Sequence, residues 1–181
     1  MIYDAVEVAK WILCAAKRVG IYMTHMKLQK LLYYAQAYVL GMLGRPLFTN
    51  EMRAWQHGPV VIDVYNRYSR YGREVITDVE EVEIPEEYLA LIKMLIADKG
   101  SYTASALRDM THEEKPWNIA YFGGGSRIIK PEDIEECFAP QFWASDEEDE
   151  YQPSFATVAE EEAFLRSGIS EEERNAFVKS R

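Results

Sequence analysis

The sequence predicts a mainly α-helical, compact single domain of about six helices with a small β-hairpin, followed by an acidic C-terminal extension. Apolar residues recur at helical spacing, glycines and prolines separate these segments, and the composition becomes strongly acidic after Trp143. Hydrophobic residues make up 48% of the 181 residues, which is enough to bury a core. We therefore expect one domain over residues 1–143, and an acidic linker and tail, in part helical, over residues 144–181.

The first two helices are predicted from capping signals and periodicity. Residues 4–19 form the first helix, with Gly20 as its C-terminal cap. Thr24 is the N-cap of the second helix, whose apolar residues follow i, i+3, i+4 spacing. This apolar stripe consists of Leu28, Leu31, Leu32, Ala35, Val39 and Met42.

A second stripe on the same helix, about 100° from the apolar one, is basic and aromatic. It consists of Lys27, Lys30, Tyr34 and Tyr38. The first interpretation is a solvated flank with lysines that extend to water. The alternative is a contact surface for a partner.

A β-hairpin is predicted between residues 46–48 and 52–55, which flank a short turn-forming segment. Pro59 then fits the first position of a third helix, because its fixed φ and missing N–H are tolerated there. Gly72 ends this helix. Residues 74–85 form an acidic connector that we expect to pair locally as a strand.

Three further helices are predicted in the second half of the domain. The fourth spans residues 85–100 and the fifth residues 103–110, and a turn follows at 111–117 because the residue before Pro116 is disfavoured in helices. Residues 127–130 are expected to be extended. The sixth helix begins at Pro131.

The composition excludes several classes of protein. No apolar run is long enough to cross a bilayer, and Asp4 and Glu7 stand where a secretory signal would be basic and then apolar. We therefore expect the chain to be cytoplasmic. The two cysteines, Cys14 and Cys137, are far apart in the sequence, so neither a disulfide framework nor a thiolate zinc site is expected.

Sequence motifs of common enzymes are not found. His112 and Glu113 resemble the start of HExxH, but Pro116 replaces the second zinc ligand. The glycines at 123–125 lack the Lys-Ser/Thr of a P-loop, and neither GxGxxG nor GxSxG occurs. We expect no cofactor, no metal and no catalysis. An enzyme using His57 or His112 would first require a pocket that joins either one to a second titratable side chain.

Both of these histidines lie at chain junctions close to a tryptophan. His57 follows Trp55, and His112 precedes Trp117. We expect each histidine to cap backbone groups or to pack on an indole ring. The alternative is that the two junctions line one surface groove that binds a partner.

Charge is distributed unevenly along the chain. Residues 1–73 contain ten Lys or Arg and four Asp or Glu (net +6), residues 74–143 six and fifteen (net −9), and residues 144–181 four and eleven (net −7). Arg67 and Arg70, among tyrosines, could contact DNA phosphates. The acidic total disfavours DNA. The same arginines could instead contact an acidic protein or the chain's own tail.

Four ordered motifs give the sequence a family resemblance. They are MKLQKLLYYAQA at 26–37, GRPLF at 44–48, AWQHGPV at 54–60 with Tyr65 following, and LRDMTHEEKPW at 107–117. In this order they resemble the Panacea domain family, the SocA-like antitoxins, which also occur as phage-associated proteins. The resemblance covers about residues 1–140.

The resemblance implies a mainly helical domain that binds a protein instead of catalysing a reaction. Members neutralise toxins encoded beside them by direct contact, and one branch delivers its toxin to the ClpXP protease as an adaptor. We therefore expect an antitoxin whose partner is a cognate toxin. The alternative is a DNA-binding regulator of its own operon, or a phage-associated regulatory protein.

Overall fold

The computed structural model describes residues 2–143, and within this range it confirms the predicted mainly helical fold with a small β-hairpin. Seven α-helices and a two-stranded sheet occur in this part of the chain. Their bounds are α1 Ala5–Arg18, α2 His25–Leu43, β1 Met52–Trp55, β2 Gly58–Val61, α3 Ile62–Tyr68, α4 Glu86–Lys99, α5 Ala104–Glu113, α6 Lys115–Phe122 and α7 Pro131–Trp143. The predictions made for residues 144–181 lie outside the described residues.

Local capping sets the ends of α1 as predicted. The Asp4 side chain accepts a hydrogen bond from the Val6 N–H at the start of the helix. At its end, Gly20 has a φ of +75°, a conformation that glycine adopts without a Cβ penalty. The N–H groups of Gly20 and Ile21 donate to the carbonyl oxygens of Lys17 and Ala16, so two of the four carbonyls that the helix end leaves unpaired are satisfied.

Helix α2 is the centre of the domain. Helices α1, α4, α5 and α7 and strand β2 all pack against it. As a result, seventeen of its nineteen residues are buried, on every face. None of the helices in the described range is long and apolar enough to span a membrane.

The solvated flank predicted for Lys27, Lys30, Tyr34 and Tyr38 is wrong. All four side chains are buried, and Lys30 is only 1% exposed. The prediction failed because neighbouring elements cover the side of the helix where the lysines were expected to reach water. Carbonyl and carboxylate groups of those neighbours replace water as hydrogen-bond partners.

The hairpin forms with a different partner strand from the one predicted. β1 pairs antiparallel with β2, from Met52 opposite Val61 to Trp55 opposite Gly58, whereas Leu47 accepts a hydrogen bond from the Tyr3 N–H. Pro59 therefore lies in a strand, and the third helix begins only at Ile62. The register allows this, because the Ala54 N–H opposite Pro59 donates to Arg127 on the other side of β1. Ala54 and Pro59 are therefore a pair without mutual hydrogen bonds, and the ladder does not require the N–H that proline lacks.

Two further predictions are corrected by the structure. The turn predicted at 111–117 is reduced to one extended residue, Glu114, between α5 and α6, because Pro116 lies in the first turn of α6, where its missing N–H costs nothing. The connector does not form the predicted strand within 76–85. Of the extended segment expected at 127–130, Ile128 and Ile129 lie beside β1, where the Ile129 N–H donates to the Met52 carbonyl oxygen, but Arg127 has a left-handed φ of +58° and is not extended.

Candidate partner-binding groove

A groove of about 560 Å³ lies where the N-terminal half of α2 meets the β1–β2 turn. The first turn of α3 and the segment before α7 complete its walls. The described residues that line it are His25, Met26, Gln29, Lys30, Trp55, Gln56, His57, Val60, Tyr65 and Arg127.

Gln29 attaches strand β2 to α2 at the base of the groove. Its Oε1 accepts a hydrogen bond from the Val61 N–H at 2.8 Å, and its Nε2 lies 3.4 Å from the Nε2 of His25. The backbone N–H of β2 that faces α2 therefore bonds to a side chain, where a third strand would otherwise supply the acceptor. Burial lowers the pKa of His25, and the nearby charge of Lys30 lowers it further.

Lys30 is a buried cation at the floor of the groove. Its Nζ donates to the Pro59 carbonyl oxygen at 2.8 Å, and no carboxylate forms an ion pair with it within residues 2–143. Burial, with a smaller contribution from Arg108, lowers the pKa of Lys30 to about 7. Gly58 allows this arrangement, because a Cβ there would lie 2.8 Å from the Lys30 Nζ.

Aromatic rings form the wall contributed by β1 and α3. The Tyr65 ring packs edge-on against Trp55 and lies 4.9 Å from the imidazole of His25, measured between ring centroids. Behind this wall, the Trp117 Nε1 donates to the Trp55 carbonyl oxygen at 3.1 Å. This hydrogen bond joins the two histidine–tryptophan junctions of the sequence.

The two predicted histidines have different surroundings. His112 stacks on the Trp117 ring at a centroid distance of 3.8 Å, which is the packing on an indole that we expected. His57 is exposed and lines the groove. The junctions are adjacent, but His112 and Trp117 support the groove from behind and do not line it. Burial, Arg108 and Lys30 lower the pKa of His112, in that order of importance.

The groove joins His57 to two other titratable side chains, His25 and Lys30, as an enzyme would require. However, its described lining contains no Asp or Glu, and no Ser, Thr or Cys that could act as a nucleophile. What these side chains offer is positive charge, hydrogen-bond donors and aromatic surface. Such a combination suits the binding of an anionic group beside an apolar one.

Tyr34 and Tyr38 belong to a separate buried cluster. The Tyr34 hydroxyl donates to the Glu114 Oε1 at 2.9 Å, and the Tyr38 hydroxyl donates to Asp98. The Tyr33 hydroxyl approaches the same Glu114 carboxylate. Burial raises the pKa of Glu114, and the tyrosine hydroxyls oppose that shift. Lys27 is likewise remote from the groove, since its Nζ donates to the Gly100 carbonyl oxygen at 2.5 Å.

Arg67 and Arg70 are exposed, as predicted, but they are already paired. Arg67 donates to Glu80 and Arg70 to Asp78, both at 3.1 Å. The acidic connector therefore neutralises these arginines. Phosphate contacts at this surface would have to compete with those carboxylates.

Several groove residues were not singled out from the sequence. His25 and Gln29 are four residues apart on a helix that was predicted correctly, so their common face was a readable signal. Arg127 gave no such signal. It reaches the groove because its carbonyl accepts the Ala54 N–H, a pairing of segments more than seventy residues apart.

Comparisons with known proteins bear on this architecture. A family model described as "Antitoxin SocA-like, Panacea domain" matches residues 28–118, which include most of α2, both strands, and helices up to α6. The chain is also 28% identical over 139 residues to Antitoxin SocA of Caulobacter vibrioides (strain NA1000 / CB15N). That alignment covers 69% of this chain and 74% of the relative. No solved structure matches the chain.

Proposed function

The chain belongs to the SocA-like antitoxin family with a Panacea domain, and from this premise we propose that it neutralises a cognate protein toxin by direct binding. The observation that carries the proposal is the family match, together with the relative whose name is Antitoxin SocA. The matched range contains the hairpin wall of the groove, and Gln29 and Lys30 of its α2 wall.

The groove is the surface that we assign to the toxin. Aromatic side chains in concave, partly desolvated positions contribute most to protein–protein affinity. Trp55 and Tyr65 occupy such positions, and the positive side chains beside them can receive a carboxylate of the partner. This role requires binding without catalysis.

Co-expression provides the first test. The gene beside this one is expressed alone and together with the full chain, and growth and complex formation are measured. We expect growth arrest in the first case, and rescue with a stable complex in the second. The proposal is wrong if the neighbour is harmless and no complex forms.

A substitution in the groove tests the assigned surface. Trp55→Ala should weaken toxin binding at least about tenfold, because it removes a large aromatic contact at the centre of the surface. Tyr22→Ala is the matched control, since Tyr22 is an aromatic residue 79% exposed outside the groove. Equal affinities for the two variants, at equal thermal stability, would place the interface elsewhere.

A purified system separates direct neutralisation from delivery to ClpXP. Direct neutralisation predicts that the full chain inhibits the toxin with no protease present. If inhibition requires ClpXP and toxin is lost over time, the chain is an adaptor.

We do not favour the DNA-binding alternative, because connector carboxylates occupy Arg67 and Arg70.

A further inference from the structure

The groove is cationic in a protein whose formal net charge is −10. Lys30, His25, His57 and Arg127 all line it, whereas its described lining contains no carboxylate. Elsewhere in residues 2–143, basic side chains of α1 and α3 are paired with acids of the connector. The groove therefore brings several positive groups together with no carboxylate among its described lining residues.

Two details indicate that an anion would be held there. Lys30 is buried with a backbone carbonyl as its acceptor, and its depressed pKa reports the cost of keeping the cation there without a negative group. Arg127 has a φ of +58°, the left-handed region that residues with a Cβ rarely adopt. Its guanidinium lies 4.6 Å from the centre of the Tyr121 ring, a cation–π contact that restricts the side chain.

The chain itself contains a segment of matching chemistry. Residues 144–181 hold eleven Asp or Glu and four Lys or Arg. Five carboxylates are consecutive, from Asp146 to Glu150, and Tyr151 and Phe155 follow them. The acidic side chains of this segment would bind the positive groups of the groove, and its aromatic side chains would pack against the aromatic wall.

The point of attachment allows this segment to reach the groove. The Trp143 Nε1 donates to the Gly41 carbonyl oxygen, so α7 ends beside the C-terminal end of α2. The groove residues of α2 lie eleven to sixteen residues before Gly41, a distance of about 20 Å at 1.5 Å per residue. Residues 144–151 can extend about 26 Å, and four more residues bring Phe155 within range as well.

We infer that the acidic segment beginning at residue 144 docks in this chain's own groove, with carboxylates at His57 and Arg127 and an aromatic side chain against Trp55. The segment then occupies the surface that we assign to the toxin, so a toxin must displace it to bind. The docking itself does not depend on the antitoxin role, and it can be tested with no toxin present.

Photo-crosslinking in the full chain tests the contact. The residue p-benzoylphenylalanine replaces Tyr151, the protein is irradiated at low concentration, and crosslinked peptides are identified by mass spectrometry. We expect crosslinks within one chain to the peptides that carry Met26, Trp55 or Tyr65. Raising the salt to 0.5 M should reduce them, because ionic attraction between exposed groups is screened.

Charge reversal identifies the surface responsible. The double variant His57→Glu, Arg127→Glu should lower the crosslink yield about fivefold, since each change replaces an attraction by a repulsion. Arg45→Glu is the control, because Arg45 is exposed near the opposite end of α2. Neutralising the five carboxylates from Asp146 to Glu150 as Asn or Gln should reproduce the loss without altering the groove.

Three outcomes would overturn the inference. Crosslinks to residues outside the groove would place the segment elsewhere. Crosslinks mainly between two chains would make a second copy the donor. A yield that the double variant and Arg45→Glu change equally would remove any role for the charges of the groove. Failure of toxin neutralisation, by contrast, would leave these measurements unaffected.

Discussion

The polar side chains of α2 and the carboxylates of the connector both bond to other segments of the chain, the first in a buried environment and the second in an exposed one. Lys30, Gln29 and Gln36 are buried and bind the backbone of neighbouring segments. Asp78 and Glu80 are exposed and pair with arginine and lysine side chains. Water can replace the second set of contacts but not the first, so the buried set should determine the fold and the groove.

The largest effect is expected at Gln36, whose side chain binds three backbone groups. Its Oε1 accepts from the N–H groups of Leu47 and Phe48, and its Nε2 donates to the Phe48 carbonyl oxygen. Gln36→Leu leaves all three buried without partners and should lower the free energy of unfolding by about 3 kcal/mol or more. Urea denaturation measures this change.

The matched control is Gln141→Leu, on the exposed side of α7. It should change the free energy of unfolding by less than about 0.5 kcal/mol. Equal losses for the two variants would show that burial of a glutamine amide does not set its contribution to stability.

A second prediction concerns the charge of Lys30. Its pKa in the folded state, about 7, lies below that of an ordinary lysine, so above pH 7 the folded chain binds fewer protons than the unfolded chain. Stability should therefore rise with pH between 7 and 9, by up to about 1.4 kcal/mol per unit. Lys30→Met should remove this rise.

Denaturation at several pH values measures the slope, with Lys130→Met, an exposed site, as the control. Burial lowers the pKa of His25 and of His112 from 6.5, so their contribution falls below this window. An unchanged slope in Lys30→Met would contradict the prediction.

Substitutions of Glu114 test whether a buried hydrogen-bond acceptor must be charged to stabilise the fold. Glu114→Gln keeps an acceptor for the Tyr34 hydroxyl and removes a carboxylate whose pKa is raised by burial, so stability at pH 7 should be equal or higher. Glu114→Ala leaves the hydroxyl unpaired and should cost about 2 kcal/mol. Thermal denaturation of both variants measures the difference. A Gln variant as unstable as the Ala variant would show that the charge is essential.

The smallest effect is expected at the exposed pairs. Arg70→Ala should leave the midpoint of urea denaturation almost unchanged, because an exposed ion pair gains little over hydration. The measurement is repeated at low and high salt. A shift as large as that of Gln36→Leu would make the connector, and not α2, the main polar support of the domain.

Local signals in the sequence predicted most of the helices, but they missed α6 and predicted the strands poorly. Asp4, Gly20 and Thr24 act on neighbouring backbone groups, so their capping roles follow from a few adjacent residues. The partner of β1 depended on distant groups, since Gln29 binds Val61 and Arg127 receives the Ala54 N–H. Neither contact is visible in the local pattern around residues 46–61.

The candidate site was predicted only in part for the same reason. Trp55 and His57 were singled out because of their unusual neighbours in the sequence, and they line the groove. Lys30 was also singled out, as part of a stripe interpreted first as solvated and alternatively as a partner-contact surface, and it lies buried at the groove floor. An amphipathic pattern shows which face of a helix is apolar. It does not show how many neighbouring segments will cover the other faces.

By itself, the sequence determined the bounds of α1 and α4 and the starts of α2, α5 and α7, and its ordered motifs identified the family. The tertiary structure alone decided that α2 is covered on all sides, that β1 pairs with β2, and that Arg127 joins Lys30 in one groove. The physical reason is the distance along the chain over which each kind of interaction acts. Capping and periodicity act within about one or two turns of helix. Burial and the pairing of charges depend on segments that only folding brings together.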